Sequence, residues 1–363
     1  MGIPHRITDP ADVMDGFVQK VVNLCRMLHG QGHQVIHLGV EGSRVQCSEH
    51  VDVVTRDHWE EVCGKDEGTW AKNQLAGVPY QKYQTEWAKN ATAAIKDRTG
   101  KPLESVVCMT WGDCQRGVDV NGQFCVEAGI GYVHAWAPWR IYESYAWLHY
   151  HLGQDKRMED PPYYWPVIPV AYDMKMFDFN AKRGEDFLYI GRLQESKGVR
   201  EAVETARLTG RRITITGPGD PKPFLAKHVD YLPPVGFEDW RRLLATCRAL
   251  FCPSRYVEPF GRTPIEAMAS GAPVISTDWG GHTEHVLQGV TGYRCRTMDD
   301  YVWAANNIDR IDPATCRDWA RKNFDVHTIA PMYTQYFESL MGSGVQKPDW
   351  NFVNPGRNYP PIG

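Results

Sequence analysis

The sequence predicts an α/β protein built from two similar domains. Short apolar runs alternate with longer segments of helical spacing in both halves of the chain, and a proline-rich break separates the two series. Alternation of this kind is typical of a parallel sheet with helices on both faces. The length of 363 residues fits two domains of ordinary size, each able to bury its own core.

The first series begins with a helix, because apolar residues repeat at helical spacing from Phe17 to Leu28 and two glycines, Gly30 and Gly32, follow. A further helix is predicted around 87–95. The buried strands predicted in this half are 34–40, 105–110 and 131–135. Together these elements predict an N-terminal domain over residues 1–172.

The break contains prolines at 161, 162, 166 and 169, which exclude a helix, and residues 172–185 are polar and predict an irregular linker. The second series then contains strands predicted at 187–190, 212–216, 249–253 and 273–277, with helices around 199–206, 240–247, 298–308 and 313–323. We predict a second domain at 184–328, a C-terminal helix at 329–341 that packs back towards the first domain, and an extended tail at 342–363. The carboxyl ends of the strands should line a cleft between the domains.

Composition excludes several classes of protein. A hydrophobic content of 42% and a charged content of 23% are those of a globular protein, and a net charge of −4 argues against a broad nucleic-acid-binding face. The ten cysteines have no paired spacing, which favours reduced thiols. No run of about 18 apolar residues occurs, and residues 1–10 lack the apolar core of a signal peptide. We therefore expect a cytoplasmic protein without a membrane span.

The stretch from Glu258 to Glu266, E-P-F-G-R-T-P-I-E, follows a predicted strand and begins a predicted helix. Gly261 allows a bend without a Cβ, and Pro264 suits a first helical turn. The free amides at a helix N-terminus suit an anion such as a diphosphate, and the two carboxylates suit hydroxyl donors such as sugar diols. A nucleotide-sugar has both features.

Two cations stand at the start of the second domain, in G-R-L-Q-E-S-K-G from Gly191 to Gly198. Arg192 and Lys197 follow a predicted strand, so both lie at its carboxyl end, where they can clamp a diphosphate and neutralise a leaving group. The alternative is an ordinary solvated turn. No D-x-D pair and no H-E-x-x-H motif occurs, so the sequence gives no sign of a catalytic metal.

The first half offers weaker candidates. Gly16 stands at the start of the first helix, where a backbone without a Cβ can approach a phosphate, and the alternative is a simple bend. His134 is expected to end a predicted strand, and as a lone histidine it fits a structural role as well as a catalytic one. Many of the aromatic residues of the chain fall between Trp111 and Tyr172, and three charged residues in this aromatic region could contact an acceptor or form salt bridges: Asp113, Arg140 and Glu143.

Taken together, these segments resemble the retaining glycosyltransferases of glycosyltransferase family 4, which have the GT-B fold of two facing Rossmann-like domains with a donor cleft between them. The resemblance is strong over 184–341 and weaker over 1–170. It rests on G-R-L-x-x-x-K-G from Gly191, on E-P-F-G-R-x-x-x-E-A-M-A-x-G-x-P-V from Glu258, on G-G-x-x-E from Gly280 and on G-H-Q-V from Gly32. Family members have a complete first strand where this chain reads M-G-I-P-H, so either that strand is lost or the start differs.

The resemblance implies a role for each matching residue. Arg192 and Lys197 would hold the donor diphosphate, Glu266 would accept hydrogen bonds from the ribose, and Glu258 would contact the donor sugar near its reacting carbon. The other donor-binding residues implied are Gly16 at the phosphates, Val235 at the base, and Phe260, Gly261, Arg262 and Thr263 at the distal phosphate and sugar. His134 is the candidate for the histidine that many members carry in the first domain, and Glu284 would support the loop behind the site.

The expected reaction is transfer of a hexose or pentose from a UDP- or GDP-sugar to an acceptor hydroxyl, with retained anomeric configuration. The nucleotide-sugar is a co-substrate, and no cofactor or metal is expected. A glycan, a small molecule, a protein or a modified nucleobase could be the acceptor. The alternatives are a sugar-nucleotide epimerase or phosphorylase, and a non-catalytic nucleotide-sugar-binding protein. The sequence leaves the sugar, the base, the acceptor and the oligomeric state open.

Overall fold

The computed structural model describes residues 1–13, 15–64, 78–162 and 164–342. The chain divides into two compact units. The first comprises Met1–Glu143, His151–Ala171 and the chain from Val326 onward, and the second comprises Ser144–Tyr150 and Tyr172–Asp325. The tail predicted at 342–363 lies outside the described residues, except that Gly342 ends the last helix.

The first unit contains two short parallel sheets. One pairs β1 (Ile36–Val40) with β2 (Glu49–Val54), and the other has the order β3 (Val106–Met109), β4 (Phe124–Ile130), β5 (Trp139–Tyr142). The first two residues link these sheets. The backbone amide of Gly2 donates to Leu38 O of β1 at 2.7 Å, and the terminal amine of Met1 donates to Cys108 O of β3 at 3.0 Å. The backbone of residues 1–2 therefore contacts both β1 and β3.

Helices cover these sheets through apolar faces. The helices are α1 (Gly16–Gly30), α2 (Arg56–Cys63), α3 (Val78–Arg98) and, after the second unit, α11 (Val326–Gly342). One core cluster combines residues of α1, α11, β4 and β5, and another combines residues of α3 with β1 and β2. A further helix, α4 (Tyr145–Gln154), follows β5 in the chain. It begins in the second unit and ends in the first. Among the described residues, no helix has the length and hydropathy needed to cross a membrane.

The second unit is built on one parallel sheet of six strands. In sheet order these are β11 (Gly292–Cys295), β10 (Val274–Thr277), β9 (Leu250–Cys252), β6 (Phe187–Ile190), β7 (Ile213–Thr216) and β8 (Val229–Leu232). The helices are α5 (Val199–Leu208), α6 (Phe237–Thr246), α7 (Arg262–Ala269), α8 (His282–His285), α9 (Met298–Asn307) and α10 (Pro313–Phe324). All pairings are parallel, so the carboxyl ends of the strands meet at one edge of the sheet.

The alternating order of strands and helices is confirmed, but one predicted strand is wrong. Residues 131–135 lie in a loop, and the strand β4 occupies Phe124–Ile130 instead. All seven residues of β4 are buried, including Glu127, whose charge interrupts the apolar run that would have revealed the strand. The sequence analysis also missed β2, β5, β8 and β11. Of these, β2 and β8 are partly exposed and carry charged residues.

Apart from a 3₁₀ helix at Met174–Met176, residues 172–185 are irregular, as predicted, but they pack against the rest of the second unit. The guanidinium group of Arg183 donates to the carbonyl oxygens of Leu244 at 2.8 Å and Cys247 at 2.6 Å, and also to those of Ala245 and Ser270. Arg317 likewise donates to the carbonyl oxygens of Phe177 and Met174. The segment is therefore part of the second unit.

Candidate functional site

The candidate site lies at the carboxyl edge of the six-stranded sheet. The loop after β6 carries Arg192 and Lys197, the loop after β8 carries Val235, and the loop after β9 carries Glu258. Ligands of open parallel sheets bind at this edge, because loops and helix N-termini converge there. Sheet topology thus collects residues that are far apart in the sequence.

Lys197 and Glu258 form an ion pair at this edge. The Nζ atom of Lys197 lies 2.5 Å from Glu258 Oε1, and the Ser254 hydroxyl donates to the same oxygen at 2.7 Å. The ring of Tyr256 lies 4.8 Å from the same ammonium group. Burial alone would raise the pKa of Glu258, but the charges of Lys197 and His282 and the hydrogen bonds from Lys197 and Ser254 together hold that pKa below its ordinary value. Burial alone would lower the pKa of Lys197, but Glu258 and Tyr256 together raise it above its ordinary value, so Lys197 and Glu258 are both ionised.

A helix N-terminus without a cap lies in the same loop system. The N-cap of α7 is Gly261, whose φ of 81° is in the left-handed region, and no side chain caps the helix. The first amides of an α-helix have no intrahelical partner, so the start of α7 is a place where a backbone amide, such as that of Thr263, can meet a ligand. A Cβ on Gly261 would lie 2.6 Å from the ring of His282, so close packing also requires glycine here.

The second carboxylate of the motif, Glu266, lies one turn into α7. It is 9% exposed, and its nearest cation is the Nε atom of Arg262 at 3.8 Å. Among the described residues no donor makes a hydrogen bond to this carboxylate, and burial raises its pKa to about 7. A buried carboxylate that lacks hydrogen bonds is costly, so the site gains when a ligand supplies hydroxyl donors.

The loop that carries Glu258 is supported from behind. The amide of Gly281 donates to Glu258 O at 2.8 Å, and a Cβ on Gly280 would lie 2.7 Å from the Glu258 amide. Glu284 accepts hydrogen bonds from the amides of Tyr145 at 3.0 Å and Ala146 at 2.8 Å, so its carboxylate caps the start of α4. Within the second unit, Gly280 and Gly281 thus pack against the backbone of Glu258, and Glu284 binds the start of α4.

Three other predicted donor residues have different settings. Arg192 is exposed, and no ion pair of its side chain occurs in the described part of the chain. Val235 is half-buried in the loop between β8 and α6. Phe260 is 2% exposed, with its ring 4.1 Å from that of His285, so only its backbone faces the loop. The side chain of Phe260 is thus a core residue.

Gly16 and His134 lie in the first unit. Gly16 begins α1, but the carboxylate of Asp15 already accepts hydrogen bonds from the amides of Phe17 at 2.9 Å and Val18 at 3.0 Å. An anionic side chain therefore occupies the position where a phosphate was predicted. His134 is exposed, follows β4 rather than ending a strand, and has a left-handed φ of 65°.

The charged residues near His134 form ion pairs. Asp113 lies 3.0 Å from Arg116, Arg140 lies 2.7 Å from Asp155, and Glu143 lies 2.9 Å from Lys20. These contacts fit the salt-bridged alternative. The first unit also has a pocket of about 360 Å³ outside this aromatic region. It is lined by Arg6, Ile7, Asp9, Asp12, Gly42, Arg44, Arg56 and Trp59.

Sequence reasoning missed several residues that shape these sites. Ser254 precedes Glu258 by four residues and shares its carboxylate oxygen with Lys197, but an isolated serine gives no signal in a sequence. The capping role of Asp15 could have been predicted from the sequence, because an aspartate just before an apolar helix is a typical N-cap. In the described part of the chain, no group of three His, Cys, Asp or Glu residues could hold a metal ion.

Part of the second unit matches a known protein family. Residues 184–311 match the family model "Glycosyl transferases group 1". A glycogen synthase of Mycobacterium tuberculosis is 33% identical over 197 residues, covering 47% of this chain and 47% of that protein. The lipopolysaccharide core biosynthesis mannosyltransferase LpsB of Rhizobium meliloti is 31% identical over 140 residues, covering 36% and 37%. The chain spans about half the length, or less, of these curated relatives.

Solved structures of glycosyltransferases match nearly the whole chain. AviGT4, a glycosyltransferase involved in avilamycin A biosynthesis, has a TM-score of 0.62 and 19% identity, covering 91% of each chain. Sucrose-phosphate synthase from Thermosynechococcus elongatus has a TM-score of 0.63 and 18% identity, covering 91% of this chain and 94% of its own. The predicted GT-B fold is confirmed by these likenesses.

Proposed function

We propose that the protein is a retaining glycosyltransferase of the family 4 type, which transfers a hexose or pentose from a UDP- or GDP-sugar to an acceptor hydroxyl. The observation that carries the proposal is the uncapped N-terminus of α7 beside the Lys197–Glu258 pair. The family match over residues 184–311 supports it, because this range contains every one of those groups. A cytoplasmic location and independence from metal remain proposals.

Different residues of the site bind different parts of the nucleotide-sugar. Lys197 and the first amides of α7 hold the diphosphate, where the positive end of the helix dipole adds to the lysine charge. Glu266 accepts hydrogen bonds from the two ribose hydroxyls, which supply the donors that its carboxylate lacks. Glu258 is kept ionised by Lys197 and contacts the donor sugar near its reacting carbon. The loop with Val235 faces the base.

Catalysis then depends on stabilising the leaving group. The bond from the anomeric carbon to the phosphate oxygen breaks, and negative charge grows on the diphosphate. Lys197 and the α7 amides stabilise that charge, with a smaller share from the exposed Arg192, and this stabilisation is the largest contribution we assign. The new bond joins the anomeric carbon to the acceptor oxygen on the same face. The acceptor proton passes to the departing phosphate oxygen, so no second catalytic carboxylate is required.

The test begins with finding the donor. A panel of UDP- and GDP-sugars is added to the protein, and the ligand that binds should raise the unfolding midpoint by mass action. Release of nucleoside diphosphate is then followed with donor alone and with acceptors from each class: glycans, small alcohols, peptides and DNA with hydroxymethylated bases. We expect release that depends on acceptor, and a product of retained configuration by NMR.

Two variants identify the site in the same assay. Lys197→Ala and Glu266→Ala should each lower turnover at least about tenfold, the loss of roughly 1.4 kcal/mol of transition-state stabilisation. Lys227→Ala, which removes an exposed lysine of the same unit, is the control. Parent turnover in both site variants would refute the donor-site assignment. Conversion of donor alone to an epimer or a sugar phosphate would favour an epimerase or phosphorylase, and binding without any reaction would favour a sensor.

A further inference from the structure

A fully buried carboxylate lies inside strand β4 of the first unit. Glu127 is 0% exposed, and every residue of the strand around it is buried. Burial raises the pKa of this carboxyl, as expected where the charged form loses water. A group of this kind persists in a core only when hydrogen bonds compensate its lost hydration.

The hydrogen bonds all come from one loop, residues 131–138, which follows the same strand. Glu127 Oε2 accepts from the amide of Trp136 at 2.7 Å and from the amide of Ala137 at 2.8 Å. Glu127 Oε1 accepts from the hydroxyl of Tyr132 at 3.0 Å. The Glu127 side chain therefore holds both ends of the loop beside the end of β4.

His134 lies midway between these anchors. It is exposed, and its left-handed φ of 65° is unfavourable for a residue with a Cβ. Such a conformation persists when the surroundings impose it, and it is found most often at functional sites. The flanks are fixed further, because Trp136 Nε1 donates to Gly112 O at 3.0 Å and His151 Nε2 lies 3.0 Å from Tyr132 O.

We propose that Glu127 is a positioning residue, which fixes the 131–138 loop so that the His134 side chain is presented to substrate at the carboxyl end of β4. The inference rests on the proposed glycosyl transfer, and it adds a residue that touches no substrate. Glu127 acts through the two backbone amides and the Tyr132 hydroxyl that it binds, so its effect on turnover passes through the geometry of His134. Nothing in the donor groups of the second unit depends on it.

A double-mutant cycle tests this route. His134→Ala and Glu127→Ala should each lower turnover at least about tenfold, and the double variant should be no slower than His134→Ala alone, because both changes remove the same function. Stabilisation by the donor should be unchanged in all three. The inference would be overturned if the fold-losses of turnover in the two single variants multiplied in the double variant. Parent turnover in His134→Ala would overturn it as well.

Glu127→Gln provides the conservative rescue. Its carbonyl oxygen can still accept from the amides of Trp136 and Ala137, and the Tyr132 hydroxyl can turn to accept from its NH₂ group. We expect turnover within about threefold of the parent. If Glu127→Ala does not fold, Tyr132→Phe, which removes the anchor at the start of the loop, is compared with Glu127→Gln, and only Tyr132→Phe should lower turnover. A loss above about tenfold in Glu127→Gln, or parent turnover in Tyr132→Phe, contradicts the proposal.

Amide hydrogen exchange gives a readout that does not need activity. The amides of Trp136 and Ala137 should exchange slowly in the parent and in Glu127→Gln, and rapidly in Glu127→Ala. Glu86→Ala, which removes an exposed glutamate of α3, should leave them slow. Slow exchange in Glu127→Ala would overturn the inference. A parent that transfers no sugar while these amides behave as expected would instead refute the proposed function.

Discussion

Two helix N-termini, one in each unit, were predicted to bind the donor phosphates, and the structure gives them opposite chemistry. Asp15 caps α1 through the amides of Phe17 and Val18, and its carboxylate lies 3.2 Å from Arg6. The helix α7 begins at Gly261 without any capping side chain, near an ion-paired lysine. A free helix end costs stability, so its retention in α7 is informative. Of these two helix ends, the start of α7 is therefore the better candidate for binding an anion.

The largest effect is expected from filling the space at Gly261. Gly261→Ala places a methyl group 2.6 Å from the His282 ring in a left-handed conformation, so the first turn of α7 must move. We expect donor affinity, measured by calorimetry, to fall at least about tenfold, the equivalent of about 1.4 kcal/mol. Gly289→Ala is the matched control, because Gly289 has a φ of 72° and no atom near its absent Cβ. Equal losses in the two variants would show a general backbone effect.

Glu266 should make donor binding depend on pH. Its pKa in the folded protein is about 7, against an ordinary value of 4.5, so the carboxylate that accepts ribose hydroxyls forms only as pH rises through 7. Donor affinity should therefore increase about tenfold between pH 6 and pH 8, because the diester phosphates of the donor do not titrate there. Glu266→Gln should bind weakly with a flat profile. A pH-dependent Glu266→Gln variant would assign the titration to another group.

The same carboxyl affects folding in the opposite direction. Between about pH 4.5 and pH 7 the folded protein keeps a proton that the unfolded chain has lost. Its contribution to the free energy of unfolding is therefore greatest below that window and declines as pH rises through it. Urea unfolding at several pH values, with Glu266→Gln as reference, measures this decline. A contribution that grows with pH would contradict the raised pKa.

Removing the cap of α1 should affect stability rather than donor binding. Asp15→Ala leaves two helix amides and Arg6 without this carboxylate, so the free energy of unfolding should fall by about 1 kcal/mol. Donor affinity should stay within about twofold of the parent, which corresponds to a few tenths of a kcal/mol. A tenfold change in affinity would mean that α1 takes part in donor binding, as the sequence led us to expect of Gly16.

The smallest effect is expected at Arg192. Its side chain is exposed, so its attraction to a diphosphate is screened by water and salt. Arg192→Ala should raise the donor KM by about threefold at low ionic strength, and less at high salt. Arg207→Ala, an exposed arginine of α5, is the control. A loss as large as that of Lys197→Ala would place Arg192 closer to the leaving group than its exposure indicates.

The contrast also explains which parts of the molecule the sequence could reveal. The elements around Glu258 and Glu266 were predictable, because glycine, proline and charged residues at fixed offsets determine a strand, a bend and a helix start. In the first unit, β4 was missed and His134 was misplaced, because Glu127 interrupts the apolar pattern of the strand. Its partners lie five to ten residues away and include backbone amides, which no side-chain pattern records.

The half-buried side chain of Arg183 affects how the second unit could be produced alone. The family match begins at residue 184, which invites expression from that point. A chain cut there would lose Arg183, and the carbonyl groups at the ends of α6 and α7 would lose their donor. It would also lose the amides of Tyr145 and Ala146 that bind Glu284. Recombinant versions that begin at or before residue 144 keep both sets of contacts, and we expect these versions to be soluble.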